Sequence, residues 1–398
     1  MNKEEKMAQK YWEKWNFPNE EVKAKYEARL GRIKKAVALE PVDKIPLLSS
    51  GPAANAKFAG VILADYLADM ELNCSCNIKV AEMMDIDGSQ APIFSPEVFP
   101  AQWFSSVAMP GKDPMVGPNE LWQVHEKEII SHEDYDKILE IGYDKWQPEF
   151  LNANFDHPFE KSAPFFEYTP TAERRHAEAG FPTMVSAIFE SPFEALCGGR
   201  SLAAFLMDDL MEIPEKMDDV FAEVHRVNMQ LYRSILSNPD TCPIGVWVGG
   251  WRGTPSMLNR EMFIRFSWQY MRDIANLCVE YGVIPIYHLD SNWTPGLDVF
   301  REIAPKTGIL ALDGKTDIFK AKEVLGDVMC IMGDVPAEML AFGTQEDTYN
   351  YSMKLIKEIG PTGFILCSGC DIPFNAKYEN VEMMVKAVHD TEGKLGDL

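Results

Sequence analysis

No stretch of this chain approaches the roughly 18 consecutive apolar residues that a membrane-spanning helix requires. Positive charge is also scarce. Lysine and arginine number 38 against 61 aspartates and glutamates, a formal net charge of -23. A surface this acidic repels phosphate backbones, which argues against a nucleic-acid partner, and a polyanionic substrate would need a local arginine cluster. There is no G-x-G-x-x-G and no P-loop, so neither glycine-rich phosphate cradle is present. The opening stretch, MNKEEKMAQKYWEKW, is charged and lacks an apolar signal core. The expectation is a soluble, cytoplasmic protein. Cysteines are few: Cys74, Cys76, Cys197, Cys242, Cys278, Cys330, Cys367 and Cys370. In a reducing compartment they serve as buried thiols or metal ligands rather than disulfides. No internal repeat or low-complexity segment interrupts the chain.

What is present is ordinary globular composition, 46% hydrophobic and 25% charged over 398 residues. That length suits two domains or one large α/β barrel. The 21 methionines read mostly as core filler, with a minority free to line an adaptable pocket. Residues 1–40 carry a helical pattern, expected to stop near Leu39 because Pro41 biases its predecessor away from helix. Ile45–Leu48 reads as a first strand. Residues 50–180 are the least legible, with helical patterns near 56–70 and 132–141 and loops rich in Pro, Phe and Trp near 91–123 and 147–170.

From 182 onward the pattern is regular. Apolar strands at 182–188, 244–250, 283–287, 308–313, 328–334 and 364–370 alternate with helices. This alternation predicts a parallel sheet, and the number of units favours an α/β (β/α)8 TIM barrel. The expected organisation is a helical extension over 1–40 and one catalytic barrel domain over 41–398.

In such a barrel, functional residues gather at the C-terminal ends of the strands. Here those ends carry Glu190, Trp251 with Arg252, His288 with Asp290, Asp313, Asp334 and Cys370. Side chains alternate along a strand, so Ile284, Ile286, His288 and Asp290 share one face. If the first two fill the barrel, the last two cap its mouth. Imidazole, carboxylate and a thiolate from Cys370 would bind zinc and leave a fourth position open. The plainer alternative is a hydrogen bond between His288 and Asp290. Cys330 reads as core, since it lies four residues below Asp334, roughly 13 Å down the strand at about 3.3 Å per residue. Cys367 reads as a packed thiol. Trp251, Arg252, Asn292 and Trp293 are candidates to bind substrate, or else pack loops onto the barrel. Glu190, Asp313 and Asp334 are candidate catalytic groups; for each alone, a helix cap is the simpler role.

Several segments resemble the uroporphyrinogen decarboxylase superfamily: RIKKAVALEPVDKIPL, ALDGKTDIFKAKEVLGD, MGDVPAEMLAFGT, ILCSGCDIP and AKYENVEMMVKAV. The resemblance covers roughly residues 25–395, is strongest over 240–390, and implies a (β/α)8 barrel. Its decarboxylases carry an arginine-bearing stretch after the first strand that holds substrate carboxylates. Here the corresponding place reads LLSSGPAANAKF, without arginine. The chain is more similar to the cobalamin-dependent methyltransferase branch. There a His-x-Cys and a later Gly-Cys turn bind zinc. His288 and Cys370 match, and Asp290 stands where a cysteine is expected. A harder donor set suits oxygen, so the resemblance implies an O-demethylating methyltransferase. Its donor would be a methyl ether, a methoxylated aromatic, and its acceptor the cob(I)alamin of a partner corrinoid protein. Transfer from a methylcorrinoid to a thiol or folate, and a metal-free lyase, are the alternatives.

Overall fold

The computed structural model describes residues 14–125 and 127–397. Eight short parallel strands form its centre: β1 (Leu48–Ser49), β2 (Gly88–Ser89), β3 (Val185–Phe189), β4 (Gly245–Gly250), β5 (Ile284–Leu289), β6 (Ile309–Leu312), β7 (Cys330–Val335) and β8 (Phe364–Ser368). The last six pair in sequence order as one sheet, and β1 pairs with β2. Two single parallel bridges complete the ring. Leu47 meets Leu366 beside β8, and Ser89 meets Thr183 at the start of β3. The barrel is therefore closed, as the alternating pattern predicts.

Alternation sorts the side chains along the strands, except on β3, where the register shifts between Val185 and Ile188. Met184, Val185, Ile284, Ile286, Ile309, Ala311, Cys330, Met332, Ile365 and Cys367 fill the interior. Val246, Val248, Tyr287, Leu289, Ile331, Phe364 and Leu366 face the surrounding helices. Cys330 is thus a core thiol, fully buried. Cys367 also lies inside, where its sulfur accepts from Gln90.

The helix Glu20–Val37 closes the bottom. Its Tyr26, Leu30 and Ile33 join the interior cluster. Asn19 caps its start by accepting from the Val22 N–H, and it ends at Val37, before Leu39 and Pro41. The expected helical segment 1–40 falls partly on residues 1–13, which lie outside the described residues.

The poorly legible region differs most from expectation. Residues 147–170 are not a loop. Tyr143–Asn154 and Pro158–Glu178 are helices that carry Pro148, Pro164 and Pro170 internally. Tertiary burial of Trp146, Phe150, Ala172 and His176 outweighs the proline penalty there. The antiparallel ribbon Ser106–Ala108 with Gln123–His125 lies outside the barrel. Among the described residues no helix is long and apolar enough to cross a membrane.

Candidate active site

On β5 the pattern Ile284, Ile286, His288 continues upward through the core and out at the rim. The main chain stays in the ladder one residue further, where the Asp290 N–H bonds to the Gly250 carbonyl at 3.1 Å. His288 and Asp290 then face each other at 3.6 Å, Nε2 to Oδ1. That separation is too long for a hydrogen bond, so the plain pairing expected as the alternative is not made.

Opposite them the chain leaves β8 through Gly369. Its N–H bonds to the Val335 carbonyl at 2.9 Å. A Cβ on residue 369 would lie 2.5 Å from the Asp313 carbonyl oxygen. The glycine serves close backbone approach, and this brings Cys370 to the rim. His288, Asp290 and Cys370 each offer a donor atom, all within 4.8 Å of one another.

This donor set fits zinc. A tetrahedral zinc with bonds of about 2.0–2.3 Å separates its ligands by roughly 3.3–3.8 Å, a range that already includes the 3.6 Å between His288 and Asp290. The surroundings fit too. Burial and the carboxylates of Asp371, Asp290 and Asp313 push the Cys370 thiol up. Burial likewise raises Asp371, which the Ser50 hydroxyl and His288 partly offset. A divalent cation would relieve this crowding of anionic groups.

Neighbouring residues hold these three side chains in place. The indole of Trp247 stacks on the His288 ring, centroids 4.5 Å apart and 14° from parallel. Gly245 and Gly249 flank Trp247 on the inward face of β4. Asp313 accepts the Ser291 and Lys315 N–H groups, each at 2.8 Å. It therefore fixes the turn after Asp290, where Ser291 takes φ +69°. Its role is positioning, nearer the cap than the catalyst.

The other side of the mouth is aromatic. Trp103, on the helix Phe99–Trp103, packs on Trp251 with centroids 4.3 Å apart. Val98, Phe99 and Ile188 belong to the same cluster. The guanidinium of Arg252 lies 5.2 Å from the Trp251 ring. Glu190 stands at the end of β3, with Oε1 accepting from the Trp103 indole at 2.8 Å. Glu194 accepts the backbone N–H groups of Trp251, Arg252 and Gly253. That ties the loop after β4 to the helix Pro192–Cys197.

Three expected site residues lie elsewhere. Trp293 is fully buried among Phe263 and Phe300 in the helix layer, and its indole donates to the Asp290 carbonyl. It supports the loop and does not line the mouth. Asn292 is exposed and accepts the Thr294 N–H, a turn contact. Asp334 is 2% exposed and accepts the Tyr351 hydroxyl from the helix Gln345–Glu358. Burial pushes its carboxyl up to about 7. Closed off in this way, Asp334 is a packing group. Asp334→Asn keeps an oxygen for Tyr351, so it is expected to change kcat by less than twofold and stability by about 1 kcal/mol or less. Steady-state kinetics and thermal melts would check both.

The sequence reading did not single out Trp103, Trp247, Glu194 or Asp371. Period-2 alternation in GVWVGG already puts Trp247 on the inward face. Nothing local links Trp103 to Glu190, 87 residues later.

Residues 185–391, a little over half the chain, match the family described as Uroporphyrinogen decarboxylase (URO-D), and the chain belongs to that family. Similar curated proteins include the uroporphyrinogen decarboxylase of a Nitratiruptor species, 31% identical over 137 residues, which are 34% of this chain and 39% of that protein. That of Trichodesmium erythraeum is 31% identical over 96 residues, 24% of this chain and 27% of that one. The chain spans about two fifths or less of the length of these relatives. A methyltransferase from Methanosarcina mazei has the same fold, with a TM-score of 0.69 and 16% identity, covering 90% of this chain and 97% of that one.

Proposed function

We propose that this protein is a zinc-dependent methyltransferase that takes a methyl group from a methyl ether, with a methoxylated aromatic as donor, and passes it to the cob(I)alamin of a separate corrinoid protein. The observation that carries this reading is the convergence of His288, Asp290 and Cys370 at the barrel mouth, donor atoms within 4.8 Å. These three would hold the ion and leave a position open, as catalytic sites do. Bound there, zinc supplies Lewis acidity toward the oxygen whose bond to methyl breaks.

The chain's own residues supply the rest. Asp290, where the resemblance expects a cysteine, makes the donor set harder and better suited to oxygen. Trp247 keeps the His288 ring in place by stacking. The cluster of Phe99, Trp103, Trp251 and Ile188 offers an apolar face on which an aromatic ring can pack while excluding water. The place where decarboxylases carry arginines holds Ser50, which donates to Asp371. That speaks against a substrate with several carboxylates.

The direct test incubates anaerobically purified protein with a cob(I)alamin-loaded corrinoid protein and methoxylated aromatics, and follows methylation of the corrinoid by absorbance. Failure of these donors beside success of another methyl donor would overturn the substrate assignment. Asp290→Cys is expected to retain zinc yet cleave ethers about 10- to 100-fold more slowly, equal to roughly 1.4–2.7 kcal/mol. Equal rates in that variant would remove the argument from ligand hardness.

A further inference from the structure

We propose that Glu190 is the proton donor of this site, a neutral carboxylic acid that delivers its proton to the ether oxygen as the methyl group departs. The inference rests on the demethylation reading above.

Register places the group. Phe189 pairs with Val248, so Glu190 stands level with Gly249, and Gly249 pairs with His288. Carboxyl and imidazole therefore share one level of the rim, separated by a strand whose residue has no side chain. A Cβ on residue 249 would lie 2.7 Å from Glu190 Oε2. The glycine leaves space where that oxygen sits.

Hydrogen bonding then singles Glu190 out. It is 6% exposed. Its Oε1 is satisfied by the Trp103 indole at 2.8 Å. Its Oε2 is the one carboxyl oxygen buried without a hydrogen-bond partner among the described residues. A buried orphan of this kind requires an explanation. A carboxylate there would be half solvated. A carboxylic acid there has its carbonyl oxygen bound to Trp103 and its O–H unpaired beside Gly249, on the side of the neighbouring strand that carries His288. Glu194 cannot take this part, because its oxygens already accept three backbone N–H groups. Asp313 is engaged by Ser291 and Lys315.

The charges around Glu190 agree with a neutral acid. Glu194 faces it from the helix Pro192–Cys197, Arg252 from the loop after β4, and Tyr232 from the helix Pro214–Ser237. The Tyr232 hydroxyl is bound to the backbone of Glu190. Burial and the Glu194 charge push the Glu190 carboxyl up to about 8, against the smaller pull of Trp103 and Arg252. The acid form is present below that value and is lost as pH rises through it.

The step balances. The bond between the methyl carbon and the ether oxygen breaks, and its electron pair stays on oxygen. That oxygen takes the proton from Glu190 Oε2. The methyl carbon is bonded by the electron pair of cob(I)alamin on the partner protein, the co-reactant of the step. The products are a neutral phenol, methylcob(III)alamin on the partner protein, and a Glu190 carboxylate, which regains a proton from solvent.

Glu190→Gln tests this, because the amide keeps the shape and the acceptor for Trp103 but not the acidic proton. General acid catalysis contributes about 10²- to 10⁴-fold. We expect kcat for an unactivated methoxybenzene to fall about 100-fold or more, with KM nearly unchanged. Wild-type kcat is expected to fall as pH rises through about 8, and the variant is expected to lack this limb. A nitro-substituted methoxybenzene, whose phenolate leaves readily, should lose far less. Independently of turnover, the infrared difference between wild type and Glu190→Gln at neutral pH should contain the carbonyl stretch of a protonated carboxyl. Glu190→Asp, which keeps an acid, should retain part of the pH limb. An ionised Glu190 in the infrared overturns the proposal. So does unchanged kcat in Glu190→Gln, which leaves the demethylation reading standing. If wild type demethylates no methoxylated aromatic while another donor serves, the demethylation reading itself falls, and the donor role with it.

Discussion

His288→Ala and Cys370→Ala are expected to purify folded, without zinc, and with methyl transfer reduced by roughly three orders of magnitude. The size follows from the chemistry the ion would supply. Charge stabilisation of several kcal/mol, taken as about 4, corresponds to about 10³ in rate. Folding should survive because both side chains sit at the rim. His288 is half-buried against Trp247, and Cys370 lies beyond the end of β8. Near-stoichiometric zinc in the anaerobically purified wild type, lost in both variants, would establish the centre. Zinc should also fall away as pH is lowered, since imidazole and thiol bind metal only when deprotonated. A wild type that takes up no zinc even when it is supplied would sink the Lewis-acid mechanism. His288 and Asp290 would then be left to act as an acid–base pair.

Gly369→Ala is expected to damage the same centre without touching a ligand. The added Cβ would lie 2.5 Å from the Asp313 carbonyl oxygen and 2.7 Å from its carbon. Both are backbone atoms, so neither can swing aside as a flexible side chain would. Overpacking of this kind costs about 1–3 kcal/mol. Its consequence is larger than that figure suggests. Asp313 holds the Ser291 N–H and so the turn carrying Asp290, while Cys370 is the next residue after the clash. Both ligands shift at once. Supporting groups of metal ligands typically alter affinity by about 10- to 100-fold, so zinc affinity should fall by at least tenfold and activity with it. Competition with a chromophoric chelator measures this directly. Gly31→Ala is the control. It lies within the helix Glu20–Val37 with nothing within 4 Å of the added Cβ, and should stabilise by about 0.5–1 kcal/mol through helix propensity. Wild-type zinc affinity in Gly369→Ala would show that the loop relaxes freely and that Asp313 does not position Asp290.

The contrast between Trp247 and Trp293 shows how far the sequence could be read. Both lie in or beside apolar strands of the barrel. Trp247 alternates with Val246 and Val248, so its inward direction follows from strand periodicity alone. Trp293 follows a strand end, where alternation has stopped, and its direction depends on the turn through Ser291. The turn rotates it outward into the pocket between Phe263 and Phe300. Asp334 misleads for a related reason. It stands near the end of β7, yet Tyr351 on the helix Gln345–Glu358 takes its carboxylate.

By itself the sequence determined the alternation of strand and helix from 182 onward, the inward face of β5, and the three metal-ligand candidates. These depend on periods of 2 and 3.6 residues, which are local. Its net charge of -23 argued against a polyanionic partner. Tertiary structure alone decided that β2, only two residues long, completes the ring beside β1, and that a helix plugs its base. It alone brought Trp103 onto Glu190 and left one oxygen of that acid unpaired. Such contacts join residues far apart in the chain. They are set by packing many side chains at once, and no local pattern records them.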